Sequence, residues 1–179
     1  MRPLAALALT GLIASAAPAA FAADVPAISV GIGADLQSKA EKSYGVRELD
    51  YLKKDLTREV AEAFSRSNAQ PVQSVDLVIE SATPNRPTFR QLQRPGLSME
   101  SLGLGGASIT GTITGLDGVV TPVSYHWYET NFQNLWAAVS WSDAWRTFDR
   151  FAGRIARGDR PQQARFTPDR YAGDFGRWR

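Results

Sequence analysis

The chain has 179 residues, with 20 Lys and Arg against 18 Asp and Glu, a single His, no Cys and 44% hydrophobic residues. Those counts exclude a disulfide scaffold, a cysteine nucleophile and every zinc site built from Cys or paired His. A net charge of +2 excludes a polyanionic tail or a histone-like polycation, while the apolar fraction is that of a globular protein.

Residues 1–22 carry one early positive charge, Arg2, then an apolar stretch from Leu4 to Ala17, and end Ala20-Phe21-Ala22. A charged start, a short apolar middle and small residues at −3 and −1 are expected of a secretory signal peptide cleaved near Ala22/Ala23. Pro18 interrupts the segment, which falls short of the roughly 20 apolar residues of a membrane-spanning helix. No later segment is apolar enough to span a bilayer, and without cysteine the product is not expected to be a lipoprotein. The expected location is therefore the periplasm or the medium. Residues 23–158 are expected to form one α+β domain, and 159–179 a flexible, arginine-rich tail.

Ile28, Val30 and Ile32 alternate with small residues and predict a short strand. A polar connection follows, ending near Gly45. Over 46–66 the apolar positions Leu49, Leu52, Leu56, Val60, Ala63 and Phe64 make one stripe of an amphipathic helix. Asp50/Lys54 and Glu62/Arg66 stand at i,i+4 on its other side. Val75, Leu77 and Ile79 predict a second strand, parallel to the first through a crossover. An irregular stretch over 84–106 then carries Pro84, Pro87, Pro95 and Gly96, and a connection this long inside a small domain is usually functional or mobile.

The runs 108–114 and 119–128 flank Leu116-Asp117-Gly118, a hairpin signal. A three-residue loop with Gly118 in the left-handed region pairs 115 with 119 and sorts the side chains cleanly. Ile109, Ile113, Val123, Tyr125 and Trp127 share one face; Ser108, Thr110, Thr112, Thr114, Ser124 and His126 share the other. After an aromatic connection, Ser140-Trp-Ser-Asp143 reads as a capping box. Trp141, Ala144, Trp145, Phe148, Phe151, Ala152 and Ile155 then follow at helical spacing, and Gly158 closes the helix. The expected fold is a two-layer sandwich, two helices on one face of a mixed four-stranded sheet in the order β-α-β-β-β-α.

This order, with Asp76-Leu-Val-Ile79 after the long helix and a glycine-rich hairpin closing at Asp117-Gly-Val-Val120, is similar to small α+β modules of bacterial envelope proteins. The TolB N-terminal domain and the CsgG-like domains are such modules. The resemblance covers residues 28–157 and rests on element order. The segments 84–88, 94–98 and 105–111 resemble a pattern of exported bacterial proteins with no assigned activity. What the resemblance implies is an accessory role in envelope assembly or transport. The chain departs from those modules in having no cysteine to lipidate, and it is expected to have no neighbouring domain.

Few residues offer covalent chemistry. His126 is the sole imidazole, and Ser108 or Ser124 could lie beside it, which makes a small hydrolase centred on His126 the alternative reading. Gly106-Ala-Ser108-Ile-Thr110 fails the nucleophile-elbow pattern at its last position and falls in a strand. The glycines at 103, 105, 106 and 111 precede neither a lysine nor a helix, so they read as strand-entry glycines and not as a phosphate loop. Asp55, Glu59 and Glu62 read as a solvated helix face. No metal site and no cofactor is expected.

Binding chemistry is better represented. Residues 143–179 hold nine Arg and five Asp, whereas 23–142 hold ten basic and thirteen acidic residues. Arg146, Arg150 and Arg154 are expected to form an unpaired helical stripe, and Arg86, Arg90 and Arg94 sit in the long loop. Arginine outside the cytoplasm suits phosphate or carboxylate on a lipid, a glycan or an acidic protein. Tyr128, Phe132 and Trp136 fall outside the regular apolar pattern and suit stacking or anchoring. The candidate binding set is therefore Arg86, Arg90, Arg94, His126, Tyr128, Trp136, Arg146, Arg150 and Arg154. The expected activity is binding of another envelope component, with no nucleic-acid partner and the oligomeric state open.

Overall fold

The computed structural model describes residues 25–66, 68–135 and 139–164. The expected signal peptide, Trp136 and residues 165–179 of the expected tail lie outside the described residues. Strand β1 (Ala27–Ile32) lays Ile28, Val30 and Ile32 against the core. The polar connection expected after it is helical. Helix α1 (Ala34–Lys39) runs into a π-helical turn over Ala40–Tyr44 and stops at Gly45, whose φ of +98° no L side chain adopts readily. Only Leu36, Ala40 and Tyr44 are buried there, one per turn, too narrow a stripe to announce a helix.

Helix α2 (Arg47–Phe64) buries the six apolar side chains that its spacing selects. Its exposed ion pairs differ from the expected ones. Lys53 reaches Asp50 at 3.4 Å, and Arg58 gathers Asp55 at 3.4 Å, Glu59 at 2.9 Å and Glu62 at 3.8 Å. Strand β2 (Val72–Thr83) outruns its alternating segment because the register with the next strand shifts between Ile79 and Ser81. The shift turns Ala82 inward and hides the period from the sequence.

Strands β3 (Gly106–Gly115) and β4 (Val120–Tyr128) form the expected hairpin. Thr114 pairs with Val120, the Gly115 N–H donates to the Val119 carbonyl at 2.9 Å, and Gly118 has φ +78°. The order in the sheet is β1-β2-β3-β4, with β1 parallel to β2 and the other pairs antiparallel. Ile109, Ile113, Val123 and Tyr125 are buried in the core, with Trp127 packed on its margin, while the Ser/Thr/His126 set lines the opposite face.

Helix α3 (Ser142–Ala156) completes an α+β fold with a mixed four-stranded sheet, its Phe148, Phe151 and Ile155 fully buried. Two indoles clasp it to α2. Trp141 Nε1–H donates to Glu48 at 2.7 Å, and Trp145 Nε1–H donates to Asp55 at 2.5 Å. Trp145 is thus a partly exposed brace and not a core residue, and Asp55 belongs to a helix contact as well as to the solvated face. The capping box does not form. The helix opens at Trp141 without a side-chain cap, because Asp143 is drawn inward.

Candidate functional site

The partner of Asp143 is Asn85, and both side chains are fully buried. Asp143 N–H donates to Asn85 Oδ1 at 2.9 Å, and Asn85 Nδ2 donates to the Asp143 carboxylate and, at 3.2 Å, to the Gly103 carbonyl. Gly105 N–H donates to the same carboxylate at 3.1 Å, and Arg146 closes on its other oxygen at 3.1 Å. Backbone bonds add to this: Asn85 N–H to Ser140 and Gly103 N–H to Asn85, at 2.7 and 2.8 Å. The two ends of the 84–105 segment are therefore pinned to each other and to the start of α3. A buried amide and carboxylate that satisfy each other fix one geometry, since any displacement leaves polar atoms unpaired away from water.

Short-range bonds shape the rest of the segment. Pro84, Pro87, Thr88 and Gln91 are buried, with Thr88 N–H donating to Gln91 Oε1 at 3.0 Å ahead of a single 3₁₀ turn over Gln91–Gln93. The irregular stretch is thus a strap whose first part, 84–91, packs against the fold, while 92–104 holds no buried residue.

Between this strap and the first turn of α2 lies a groove of about 190 Å³. Glu48, Tyr51, Pro87, Thr88, Phe89 and Met99 are among the residues that line it. Phe89, Tyr51 and Met99 stand 82%, 59% and 53% exposed around it. Three large side chains with apolar surface are thus exposed around one groove. None of these groove residues belongs to the set selected from the sequence. Phe89 and Met99 lie in the irregular stretch, where no periodicity tells a buried position from an exposed one.

The arginines of the strap tie it to its surroundings. Arg86 donates to the Met99 carbonyl, and Arg94 donates to the Lys42 carbonyl at 2.9 Å. The stem of Arg90 runs beside Gly45. Arg94 thereby meets a carbonyl in the last turn of a helix, where acceptors lack intrahelical partners. All three remain at least partly accessible for an anionic group.

The arginines of α3 are not an unpaired stripe. Arg146 pairs with Asp143, and Arg154 pairs with Asp159 at 3.3 Å. The Arg150 guanidinium lies 4.1 Å from the centre of the Trp127 ring, and that of Arg154 lies 5.7 Å from the Tyr125 ring. These ring contacts carry part of each charge on an aromatic face. The sequence hides them because the rings come from a strand 20 or more residues away.

His126 stands opposite Ser108 across the hairpin, and burial pushes its imidazole below the ordinary histidine value. Ser108 is 5% exposed, and the Ser124 hydroxyl donates to the Gln163 carbonyl at 2.9 Å. Tyr128 is anchored, its hydroxyl 2.7 Å from Ser81 Oγ, and burial raises its pKa to about 12. Phe132 is exposed. Glu129 is buried beside Tyr128. Burial alone would raise its pKa, but N–H bonds from Asn131, Asn134 and Thr130 and the nearby Arg146 charge outweigh that and lower it. Its work is to shape the turn after β4.

Among the described residues no group of three His, Asp or Glu side chains could hold a metal ion, and no helix is long and apolar enough to cross a membrane. No family model matches the chain, and no curated protein matches it.

Proposed function

We propose that the chain is a non-catalytic binding module of the bacterial envelope, exported by residues 1–22, with an accessory role like that of the TolB N-terminal and CsgG-like modules it resembles. The occupant of its groove is an apolar side chain on an acidic stretch of another envelope protein. One observation carries this reading: Phe89, Tyr51 and Met99 are exposed around a groove whose frame is locked by the buried Asn85–Asp143 pair. Arg86, Arg90 and Arg94, accessible on the same strap, supply complementary charge, which steers an acidic partner and fixes its register. The hydrolase alternative gains less support, because the serines beside His126 are buried or bonded to Gln163.

Photo-crosslinking in intact cells tests the reading. A p-benzoylphenylalanine at position 89 is expected to give one discrete protein adduct, and the same label at the exposed hairpin tip, Leu116, none. Arg86→Glu with Arg94→Glu should abolish the adduct. Equal labelling from both positions, or an adduct indifferent to the charge reversals, would refute it. Adducts confined to lipid or glycan would replace the protein partner with an anionic surface.

A further inference from the structure

The outer edge of β4 is occupied by the chain itself. Because Gly115 and Val119 form a hydrogen-bonded pair, the odd residues of β4 turn their backbone groups toward β3 and the even ones turn them outward. Of the outward set, Pro122 has no N–H to offer. Ser124 N–H donates to the Pro161 carbonyl at 2.7 Å, and its carbonyl accepts from Gln163 N–H at 3.0 Å. Ser124 Oγ donates to the Gln163 carbonyl, and His126 N–H donates to Gln163 Oε1 at 2.7 Å. Gln162 thus pairs with Ser124 in the parallel sense. Residues 161–163 of the segment expected to be a flexible tail instead follow α3 and form an isolated parallel bridge to β4.

The tether is short and itself bonded. Gly158, at φ +93°, turns the chain, Asp159 meets Arg154, and Arg160 donates to the Ile155 carbonyl at 3.2 Å. So short a tether keeps the segment beside β4 at an effective concentration of order millimolar. Open strand edges pair with other chains, and proteins block them with prolines, charges or a covering segment. Here Pro122 and residues 161–163 divide that task.

We propose that residues 161–163 are a latch on β4, and that the edge beneath is a self-association surface which a second copy takes up when the latch lifts. Two β4 strands placed antiparallel about a two-fold axis at Ser124 would each satisfy the Ser124 N–H and C=O that the latch now holds. That arrangement joins two sheets into one and needs no group beyond those already in the ladder. Pro122, facing His126 of the second copy, costs one bond per side, so the latched form prevails while the segment is intact.

The full chain and two variants test this. Gln163→Pro removes the N–H that Ser124 accepts, and Gln163→Ala removes only the cover on His126 N–H. In the wild type the Ser124 and His126 amides should exchange slowly with deuterium and the protein should sediment as a monomer. Gln163→Pro should speed exchange at Ser124 about tenfold or more and produce a concentration-dependent dimer. Gln163→Ala should speed His126 alone and stay monomeric. Adding Ser124→Pro to Gln163→Pro removes the outward donor and should restore the monomer. Unchanged Ser124 exchange in Gln163→Pro overturns the latch. Faster exchange without dimers, or dimers that survive Ser124→Pro, overturns the self-association surface.

Discussion

Replacing Asn85 with alanine tests how the strap is held. The side chain makes three bonds: from Asp143 N–H, to the Asp143 carboxylate and to the Gly103 carbonyl. Alanine leaves Asp143 N–H and Gly103 C=O without those partners, and the carboxylate keeps Gly105 N–H and Arg146. Each buried polar group stranded in this way costs about 1–3 kcal/mol. Two stranded groups and a weakened carboxylate then sum to about 3–6 kcal/mol, lowered where water enters the vacated space. That is a large share of the roughly 5–15 kcal/mol total stability of a domain. With a urea m-value of about 1–3 kcal/mol/M, the midpoint should fall by at least about 1 M. Asn85→Asp should be worse, since it sets a second carboxylate against a fully buried one. Asn85→Ala with Asp143→Ala should cost much less than the sum of the single changes, because the two side chains share their bonds. The reasoning is refuted if Asn85→Ala lies within about 1 kcal/mol of wild type and the double variant is additive.

Three further outcomes follow from local geometry. A Cβ at Gly111 would run into the Asp76 carbonyl and stand 2.9 Å from Leu77 Cα, so Gly111→Val should cost several kcal/mol by chemical denaturation, and Gly118→Ala, with open space around it, only the strain of its positive φ. The Glu129 carboxyl has a lowered pKa in the folded chain, so it contributes stability above the unfolded carboxylate pKa that is lost as pH falls through the folded value. Glu129→Gln should therefore flatten the acid side of the stability curve, read as midpoint against pH. Tyr128 titrates near 12 when folded, against 10.0 in the open chain, so its contribution is complete below pH 10 and disappears as pH rises toward 12. Ultraviolet titration should show as many phenols ionising before unfolding in the wild type as in Tyr128→Phe, which has one tyrosine fewer, and the variant should lose that part of the alkaline slope.

Elements with a wide apolar stripe were legible without coordinates. The six stripe residues of α2 and the hairpin register around Gly118 rest on local periodicity and one glycine, and both stand in the structure. Where periodicity lapses, legibility lapses with it. The helical turns over 34–44 bury one residue per turn, and the shift in β2 moves the inward face from odd to even positions. The Ser140/Asp143 pattern failed for a different reason. A capping acid and a buried hydrogen-bond partner look alike in sequence, and Asn85, 58 residues away, decided which one Asp143 became.

The same reasoning separates the candidate site from the residues first selected for it. Charge is conspicuous in a sequence but its partners are not: Arg86 and Arg94 meet carbonyls, Arg150 meets a ring, and Arg146 meets an acid that looked like a helix cap. Exposure is inconspicuous in the opposite way. Phe89 and Met99 lie outside any periodic pattern, and both are exposed on the strap that the Asn85–Asp143 pair pins. An apolar side chain in water lowers its free energy by finding a covering surface. The buried lock pins the strap that carries Phe89, so in the proposed reading its cover comes from the partner. Breaking the lock should therefore remove crosslinking at position 89 even where the chain stays folded, and Asn85→Ala joins the stability measurement to the binding one.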